Sequence, residues 1–326
     1  MVDFFMVDTS VTGGLMKTLL NAVAVVLLVT FAIPQARAGF SLGDASNFAV
    51  LFEGNGGNTL NFNNSNITGN IGIGATGKWA DAGGCSGQCL VNGLVEFSAA
   101  NTGQFSSSAG TTYTPALAAG VNPLYSKAQV QTDLNTLNTL SQTLGAEVGN
   151  ALTISSGGSV NANAGNLVNG DRVFTLQAGS NFPNGTFTIT GASSQTVVVN
   201  VPFAFNFHGS IVLAGGITSD QVLFNFTGGD YTTLSGGDAL DINTNGVATT
   251  GTFLDPNGAV SVTHTVFNGR VFGGDTHNLQ IVSGANIVAP PSTVPEPSFL
   301  GLLSAGVLGL IGVHLRRNRR ADTQMS

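Results

Sequence analysis

Residues 241–246 contain the alternating oxygen-bearing side chains that a calcium ion prefers. Asp241, Asn243 and Asn245 are followed by glycine, which matches the first half of an EF-hand-type loop. Thr252, however, occupies the position of the bidentate glutamate of such a loop. The segment therefore predicts either a calcium site at these three residues or an Asn/Gly turn between two strands, and the missing glutamate favours the turn.

Three histidines lie in the central part of the chain: His208, His264 and His277. None belongs to an HExxH motif or to another close ligand spacing, and the chain contains no GxSxG motif or phosphate-binding loop. We therefore expect a protein that is not an enzyme and has no cofactor. The enzymatic alternative, glycan processing, requires paired carboxylates that converge in a groove.

Cys85 and Cys89 are the two cysteines of the chain, with three residues between them. A redox-active pair usually has two intervening residues, and no further metal ligands lie nearby. In an oxidising compartment such a pair predicts a disulfide that closes a small loop. Because this loop is short, its contribution to stability should be modest.

Charged residues are scarce in this chain. They make up 8% of it, against roughly 25% in ordinary soluble domains. Residues 39–296 contain four lysines and arginines and fourteen acidic residues, a net charge of −10. This balance excludes a cationic surface for DNA, RNA or anionic lipid. The abundance of glycine, asparagine, threonine, valine and phenylalanine predicts a mainly β protein with tight turns.

The N-terminal residues 1–38 have the features of a secretory signal peptide. Lys17 precedes the apolar run 19–33, and Ala36 and Ala38 form a small-x-small cleavage site. We expect signal peptidase to cut after Ala38, and an uncleaved membrane anchor is the alternative.

Translation of the chain is predicted to start at Met16, directly before the positive charge of the leader. The preceding stretch carries Asp3 and Asp8, which have the wrong charge for a signal peptide. Residues 1–15 are then not part of the natural protein.

The C-terminus contains three features in a fixed order. The tripeptide Pro295-Glu296-Pro297 ends a spacer over residues 289–297, and an apolar stretch follows over 298–315. At about 1.5 Å per residue these 18 residues reach about 27 Å, enough for a thin bilayer core. The basic tail, residues 316–326, would remain cytoplasmic. Its arginines are Arg316, Arg317, Arg319 and Arg320.

This arrangement of Pro-Glu-Pro, apolar helix and arginine cluster closely resembles the PEP-CTERM sorting signal. In that family a membrane-embedded cysteine protease of the exosortase type cuts near the Pro-Glu-Pro and passes the protein towards the surface or extracellular polymer. The resemblance implies an exosortase partner, transient anchoring in the inner membrane and a mature protein that ends near Glu296. A plain C-terminal anchor is the alternative.

Short apolar segments separated by Gly, Asn or Asp predict many strands in residues 39–288, which we call the body. The candidate strands are Phe48–Phe52, Leu60–Phe62, Ile67–Ile73, Val173–Leu176, Thr186–Thr190, Thr196–Val201, Phe205–Leu213, Gln221–Phe226, Ala248–Leu254, Ala259–Phe267 and Asn278–Val282. Regular short strands with Asn and Gly corners indicate a β-solenoid, in which each coil stacks on the next. A β-sandwich or jelly roll is the alternative.

Residues 126–144 break the strand pattern and predict one long helix. Val130, Leu134, Leu137 and Leu144 fall on one face of it, so the helix should cover a β structure. Ser126 with Gln129 has the spacing of a capping box, and Gly145 is a natural stop.

Four segments of the body resemble two known families. The segments LGDASNFAVL at 42–51 and NITGNIG at 66–72 resemble the opening of the ice-binding-like family, which places a long helix beside a right-handed β-solenoid. The segments VVVNV at 197–201 and VLFNF at 222–226 are similar to the choice-of-anchor A surface domain, which also carries variable C-terminal sorting signals.

Two rows of side chains are candidate binding surfaces. Thr186, Thr188 and Thr190 alternate on one strand face, as on ice-binding strands, and Phe203, Phe205 and Phe207 could form a sugar platform. For the threonines, the favoured alternative is a row that faces solvent because threonine suits β-strands. For the phenylalanines, the favoured alternative is packing in the core.

Together these patterns predict an exported protein of the cell surface or extracellular matrix with a structural or adhesive role. The alternative function is binding of ice or polysaccharide through a flat β-face.

Overall fold

The computed structural model describes residues 39–81, 85, 89–101, 105–107, 110–118, 120–227, 240–274 and 277–291. The predicted signal peptide, Pro-Glu-Pro tripeptide, membrane-spanning helix and arginine tail lie outside these residues. Among the described residues, no helix combines the length and the hydropathy that crossing a membrane requires.

The described body contains 25 strands and one α-helix. The strands before the helix are β1 Phe48–Phe52, β2 Thr59–Phe62, β3 Asn66–Thr68, β4 Asn70–Ile73, β5 Lys78–Asp81, β6 Cys89–Asn92, β7 Val95–Ser98, β8 Phe105–Ser106, β9 Thr111–Thr114 and β10 Leu124–Lys127. The helix, α1, is Ala128–Gly145. The strands after it are β11 Asn150–Leu152, β12 Ser159–Asn161, β13 Asn166–Val168, β14 Asp171–Leu176, β15 Thr186–Thr190, β16 Thr196–Val201, β17 Phe205–Phe207, β18 Ser210–Ala214, β19 Val222–Phe226, β20 Leu240–Asn243, β21 Ala248–Asp255, β22 Val260–Thr263, β23 Val266–Gly273, β24 Leu279–Val282 and β25 Asn286–Val288.

These strands form a β-solenoid with three faces, which confirms the predicted fold class. The helix-side sheet has the order β10-β7-β4-β1-β23-β21-β19-β16-β14-β11, and the seven-stranded sheet has the order β17-β20-β22-β24-β2-β5-β8. The third face contains two groups of strands, in the orders β12-β15-β18 and β25-β3-β6-β9. The first halves of β21 and β23 lie between these two groups. Among the described pairs only β13 with β14 is antiparallel. A sandwich or jelly roll, built from antiparallel strands, is therefore wrong.

The coils do not stack in chain order. The first strand, β1, pairs with β23 near the end of the body, so that Val50 lies opposite Val271. The helix α1 carries the chain back along the stack, from β10 at one end towards β11 at the other. It reaches about 27 Å at 1.5 Å per residue, whereas nine strand spacings of about 4.8 Å span about 43 Å. The helix therefore covers about two thirds of the sheet.

Two hydrophobic layers hold the solenoid together. The interior is filled by alternate residues of the strands, among them a stack of Phe207, Phe224 and Phe253 whose ring centroids lie 4.7–5.1 Å apart. The second layer lies between α1 and the outer side of the helix-side sheet, where Leu134 and Leu137 pack with residues such as Leu223. Strands of this sheet are thus buried on both sides, which explains the nearly continuous apolar runs of β16 and β19.

The helix begins two residues later than predicted, and the predicted capping box does not form. Ser126 belongs to β10 and has a φ of 60°. The Gln129 side chain instead donates hydrogen bonds to Asp133 and Asp44. Pairing of β10 with β7 therefore takes precedence over the local capping signal.

The last turn of the helix is held by two asparagines of the sheet. The Asn200 amide donates to the Leu144 carbonyl oxygen at 2.7 Å, and the Asn225 amide donates to the Ser141 carbonyl oxygen at 3.0 Å. The Ser141 hydroxyl donates in return to Asn225 Oδ1 at 2.6 Å. These bonds satisfy helix carbonyls that would otherwise be buried without a donor.

Candidate functional site

The seven-stranded sheet presents one continuous row of outward side chains, which we call the polar row. In strand register the row is Asn206, Asp241, Ser261, Gln280, Asn61, Ala80 and Ser106. Ser261 is the most covered member, with 5% of its surface exposed. The residues on either side of it, such as Leu60 and Ile242, point into the interior and are fully buried. Six spacings of about 4.8 Å give a flat strip about 29 Å long. Such a strip can contact an extended or flat ligand, but not enclose a small one.

The predicted calcium ligands lie at one end of this sheet. Asp241 and Asn243 are on β20, and the Asp241 carboxylate is paired with His208, with 2.7 Å between Oδ2 and Nε2. The Asn245 backbone N–H donates to Asn243 Oδ1 at 3.3 Å, and Asn245 has a φ of 54°. The geometry present is thus an asparagine turn that follows a strand. In the described parts of the chain no group of three His, Cys, Asp or Glu residues could hold a metal ion, and calcium binding stays a prediction.

A ladder of left-handed residues forms the corner between the seven-stranded sheet and the third face. Asn64, Asn245, His264 and Ser283 have φ values of 41–57° in four adjacent coils. The coils are joined at this corner because the His264 N–H donates to the Ser283 carbonyl oxygen and the Gly284 N–H donates to the Asn64 carbonyl oxygen. His264 is therefore a turn residue of this corner.

The threonine row does not extend beyond one strand. Thr188 and Thr190 of β15 face outward with Ser159 and Asn161 on one side, and with Val212 and Ala214 on the other. A regular lattice of threonines is therefore absent from these three strands of the third face.

The phenylalanine row belongs to the core. Phe205 and Phe207 are buried and Phe203 packs against the same interior cluster. A sugar platform at these rings is therefore excluded.

Two buried carboxyl groups away from the polar row, Asp133 and Asp255, have pKa values raised to near neutrality. Burial raises the pKa of Asp133 to about 6, with smaller effects of Asp44 and Glu96, while Gln129 opposes the shift. Burial also raises the pKa of Asp255 to about 7, although the Gly258 backbone N–H opposes this. Perturbed carboxyls often mark active sites, but Asp133 lies on the buried side of α1 and Asp255 closes a turn.

The two cysteines are joined in a disulfide, and both are almost fully buried in the interior cluster. The disulfide itself is therefore part of the hydrophobic interior.

The sequence reasoning missed the polar row, because its members come from seven segments that are far apart in the chain. Its only local signal is the alternation of inward apolar and outward polar residues in segments such as TLNF, LDIN and LQIV. Which outward residues are neighbours depends on strand register, which the alternation leaves open.

Comparison with known families identifies the C-terminus. Residues 293–320 match the family described as the PEP-CTERM protein-sorting motif. The chain therefore carries the sorting signal of an exported protein that an exosortase processes. A comparison with curated proteins found no match.

Comparison with solved structures supports the fold of the body. An ice-binding protein from the Antarctic ascomycete Antarctomyces psychrotrophicus has a TM-score of 0.50 and 16% identity, over 78% of this chain and 100% of that chain. An ice-binding protein (LeIBP) from Arctic yeast has a TM-score of 0.47 and 15% identity, over 80% of this chain and 99% of that chain. The Shewanella frigidimarina ice-binding protein_1 DUF3494 domain has a TM-score of 0.44 and 16% identity, over 77% of this chain and 98% of that chain. At 16% identity, the likeness to the Antarctomyces psychrotrophicus protein shows the fold alone.

Proposed function

We propose that this chain is the precursor of an exported, non-enzymatic protein that acts at the cell surface or in the extracellular matrix, in a structural or adhesive role. The observation that carries the proposal is the PEP-CTERM motif at residues 293–320. Signal peptidase removes the leader that ends at Ala38, and the helix at 298–315 then holds the precursor in the inner membrane. An exosortase cuts near Glu296 and releases the body outwards.

The chemistry of the body supports a binding role rather than a catalytic one. It offers a long flat polar row and few charges, and its most perturbed carboxyls, Asp133 and Asp255, are buried at separate structural positions. Hydroxyl, amide and carboxylate groups along such a row can exchange hydrogen bonds with the hydroxyls of an extracellular polysaccharide. We therefore propose a hydrated polymer of the matrix as the partner.

The sorting step is tested by replacing Pro295-Glu296-Pro297 with three alanines in the native cells. We expect an uncut protein that stays in the membrane fraction, because proline holds the segment extended for the protease and alanine allows a helix. The matched control replaces the adjacent Pro291-Ser292-Thr293 with alanines and should be processed normally. If intact-mass analysis of the normal surface protein shows that Ser326 is still attached, the sorting proposal fails.

Binding of ice is a second candidate function. It is favoured by the flatness and regular strand spacing of the polar row, together with the fold likeness to the ice-binding protein of Antarctomyces psychrotrophicus. A flat face with repeats of about 4.8 Å can order a layer of water across several strands. The polar row differs from a uniform threonine face because its side chains are of several chemical types.

A pair of variants separates the two functions and locates the surface. Ala80→Tyr places a bulky ring in the polar row, between Asn61 and Ser106, whereas Thr188→Tyr places the same ring on the third face. Tyrosine suits a strand, so both variants should fold. The released protein is tested for thermal hysteresis and on a glycan array. Loss of one activity in Ala80→Tyr alone assigns that activity to the polar row, and inactivity of the unaltered protein in both assays removes both binding roles.

A further inference from the structure

The first described residue of the body lies against a buried acid. A Cβ atom built on Gly39 would overlap the Thr196 hydroxyl and would lie 3.0 Å from Asp171 Oδ1. The next residue, Phe40, donates its backbone N–H to the same Asp171 oxygen at 3.0 Å. The chain at Gly39 is therefore held beside this carboxylate, and no larger residue would fit there.

Asp171 has no cation to neutralise it in the described structure. It begins β14, is 2% exposed, and is hydrogen-bonded to Phe40 and to Thr196. The ion pairs among the described residues are His208 with Asp241 and Arg270 with Asp220. A buried carboxylate without a positive partner is costly unless it is neutralised.

The surroundings of Asp171 are also acidic. Glu147 lies near Asp171, and its pKa is raised mainly by desolvation and also by the Asp171 charge, while the hydrogen bond from Asn169 acts against both. One of its oxygens, Oε2, is buried without a hydrogen bond, while Oε1 accepts a bond from Asn169. Burial likewise raises the pKa of Asp171. The pocket has the charge that a single small cation would satisfy.

We propose that the α-ammonium group created on Gly39 by signal-peptide cleavage binds in this pocket and forms an ion pair with Asp171. The proposal uses the predicted cut after Ala38, which makes Gly39 the first residue of the exported protein. Hydrolysis of the Ala38–Gly39 bond converts an uncharged peptide N–H into an ammonium group with three donors. The exported protein thereby gains, beside Asp171, a positive charge that the precursor lacks.

The ion pair has a consequence for the amine that can be measured. An opposite charge within about 4–6 Å shifts a pKa by about 1–3 units towards the charged form. From an ordinary α-amino pKa of about 7.8, a rise of one unit lowers the reactive neutral fraction about tenfold near pH 7. The Gly39 amine should therefore be acylated about five- to tenfold more slowly than a free N-terminus.

The test is competitive acylation of the full chain after export and signal-peptide removal in a bacterial host, with mass spectrometry of the labelled peptides. Lys78 and Lys127 provide internal standards, because they are the two lysines after the leader. One variant carries an alanine inserted before Gly39, so that the amine is displaced by one residue. The other is Asp171→Asn, which keeps the shape of the pocket and removes the charge.

Slow labelling of Gly39 in the normal protein, with about five- to tenfold faster labelling of the N-terminus in both variants, supports the proposal. Labelling that stays slow in a folded Asp171→Asn protein shows simple steric burial and overturns it. Equal labelling of the normal and extended proteins, or an N-terminus other than Gly39, overturns it as well. If Asp171→Asn does not fold, the α-amine pKa from the pH profile of labelling decides: a value above the ordinary range supports the ion pair, and an ordinary value refutes it.

Discussion

Arg270 should be the residue whose polar groups contribute most to the stability of the body. It lies on β23 with its side chain fully buried, and it pairs with Asp220. Its guanidinium also donates to the Ser46 carbonyl oxygen at 2.7 and 3.0 Å and to the Pro290 carbonyl oxygen at 2.8 Å. One side chain thus joins the beginning of the body, a central turn and the end of the body.

The change Arg270→Met keeps most of the volume and removes all of these bonds. It leaves the Asp220 carboxylate and two carbonyl groups without their donor in a buried place. Removal of one partner of a buried pair costs about 3–5 kcal/mol, and a hydrogen bond to a charged group contributes about 1.5–3 kcal/mol. Since these contributions overlap, we expect the free energy of unfolding to fall by about 3–5 kcal/mol.

Urea unfolding of the released protein, followed by circular dichroism, measures this change through the midpoint and the slope. Arg172→Met is the matched control, because Arg172 lies on β14 and is only partly buried. We expect the control to lose less than about 1 kcal/mol. A midpoint for Arg270→Met that equals that of the control would refute the reasoning that Arg270 joins the two ends of the body.

Three further predictions concern other polar and strained positions. Both Asp133 and Asp255 bind their protons more tightly in the folded state, because their pKa values there are about 6 and about 7. The free energy of unfolding should therefore rise as the pH falls from about 7.5 towards 4. Asp133→Asn should make this rise smaller, as urea titrations at several pH values will show. Asn225→Leu removes the donor to the Ser141 carbonyl oxygen and should lower the free energy of unfolding by about 1–3 kcal/mol, with faster amide exchange in the last turn of α1. Ser283 is exposed with a φ of 57°, a backbone conformation that asparagine tolerates and β-branched residues do not. Ser283→Val should therefore lower the free energy of unfolding by about 1–2 kcal/mol, whereas Ser283→Asn should not. The melting temperatures of the two variants will show the difference.

Local patterns predicted several elements of the fold correctly. The strands Phe48–Phe52, Thr186–Thr190 and Thr196–Val201 have the predicted bounds, since alternation and β-branched residues act within a single segment. The apolar face of α1 was also predicted, because it depends only on helical periodicity.

Corners of the solenoid were harder to predict than strands. The predicted strand over 67–73 is divided at Gly69, and the predicted strand over 205–213 is divided at His208 and Gly209. The predicted strand over 259–267 is divided at His264 and Thr265. These corners are stabilised by backbone hydrogen bonds to adjacent coils, such as that from His264 to Ser283, so their signal is not in the local residues.

By itself, the sequence determined the sorting signal at the C-terminus, the mainly β class of the body and the amphipathic face of α1. These features depend on residue types at short spacing, which a linear reading contains. Only the tertiary structure decided that β1 lies beside β23, that Asp241 pairs with His208 and that seven distant segments form one polar row. The physical reason is that parallel strands pair through backbone groups that every residue carries, over separations as long as that between Val50 and Val271. Which strands become neighbours is therefore set by the packing of the whole body.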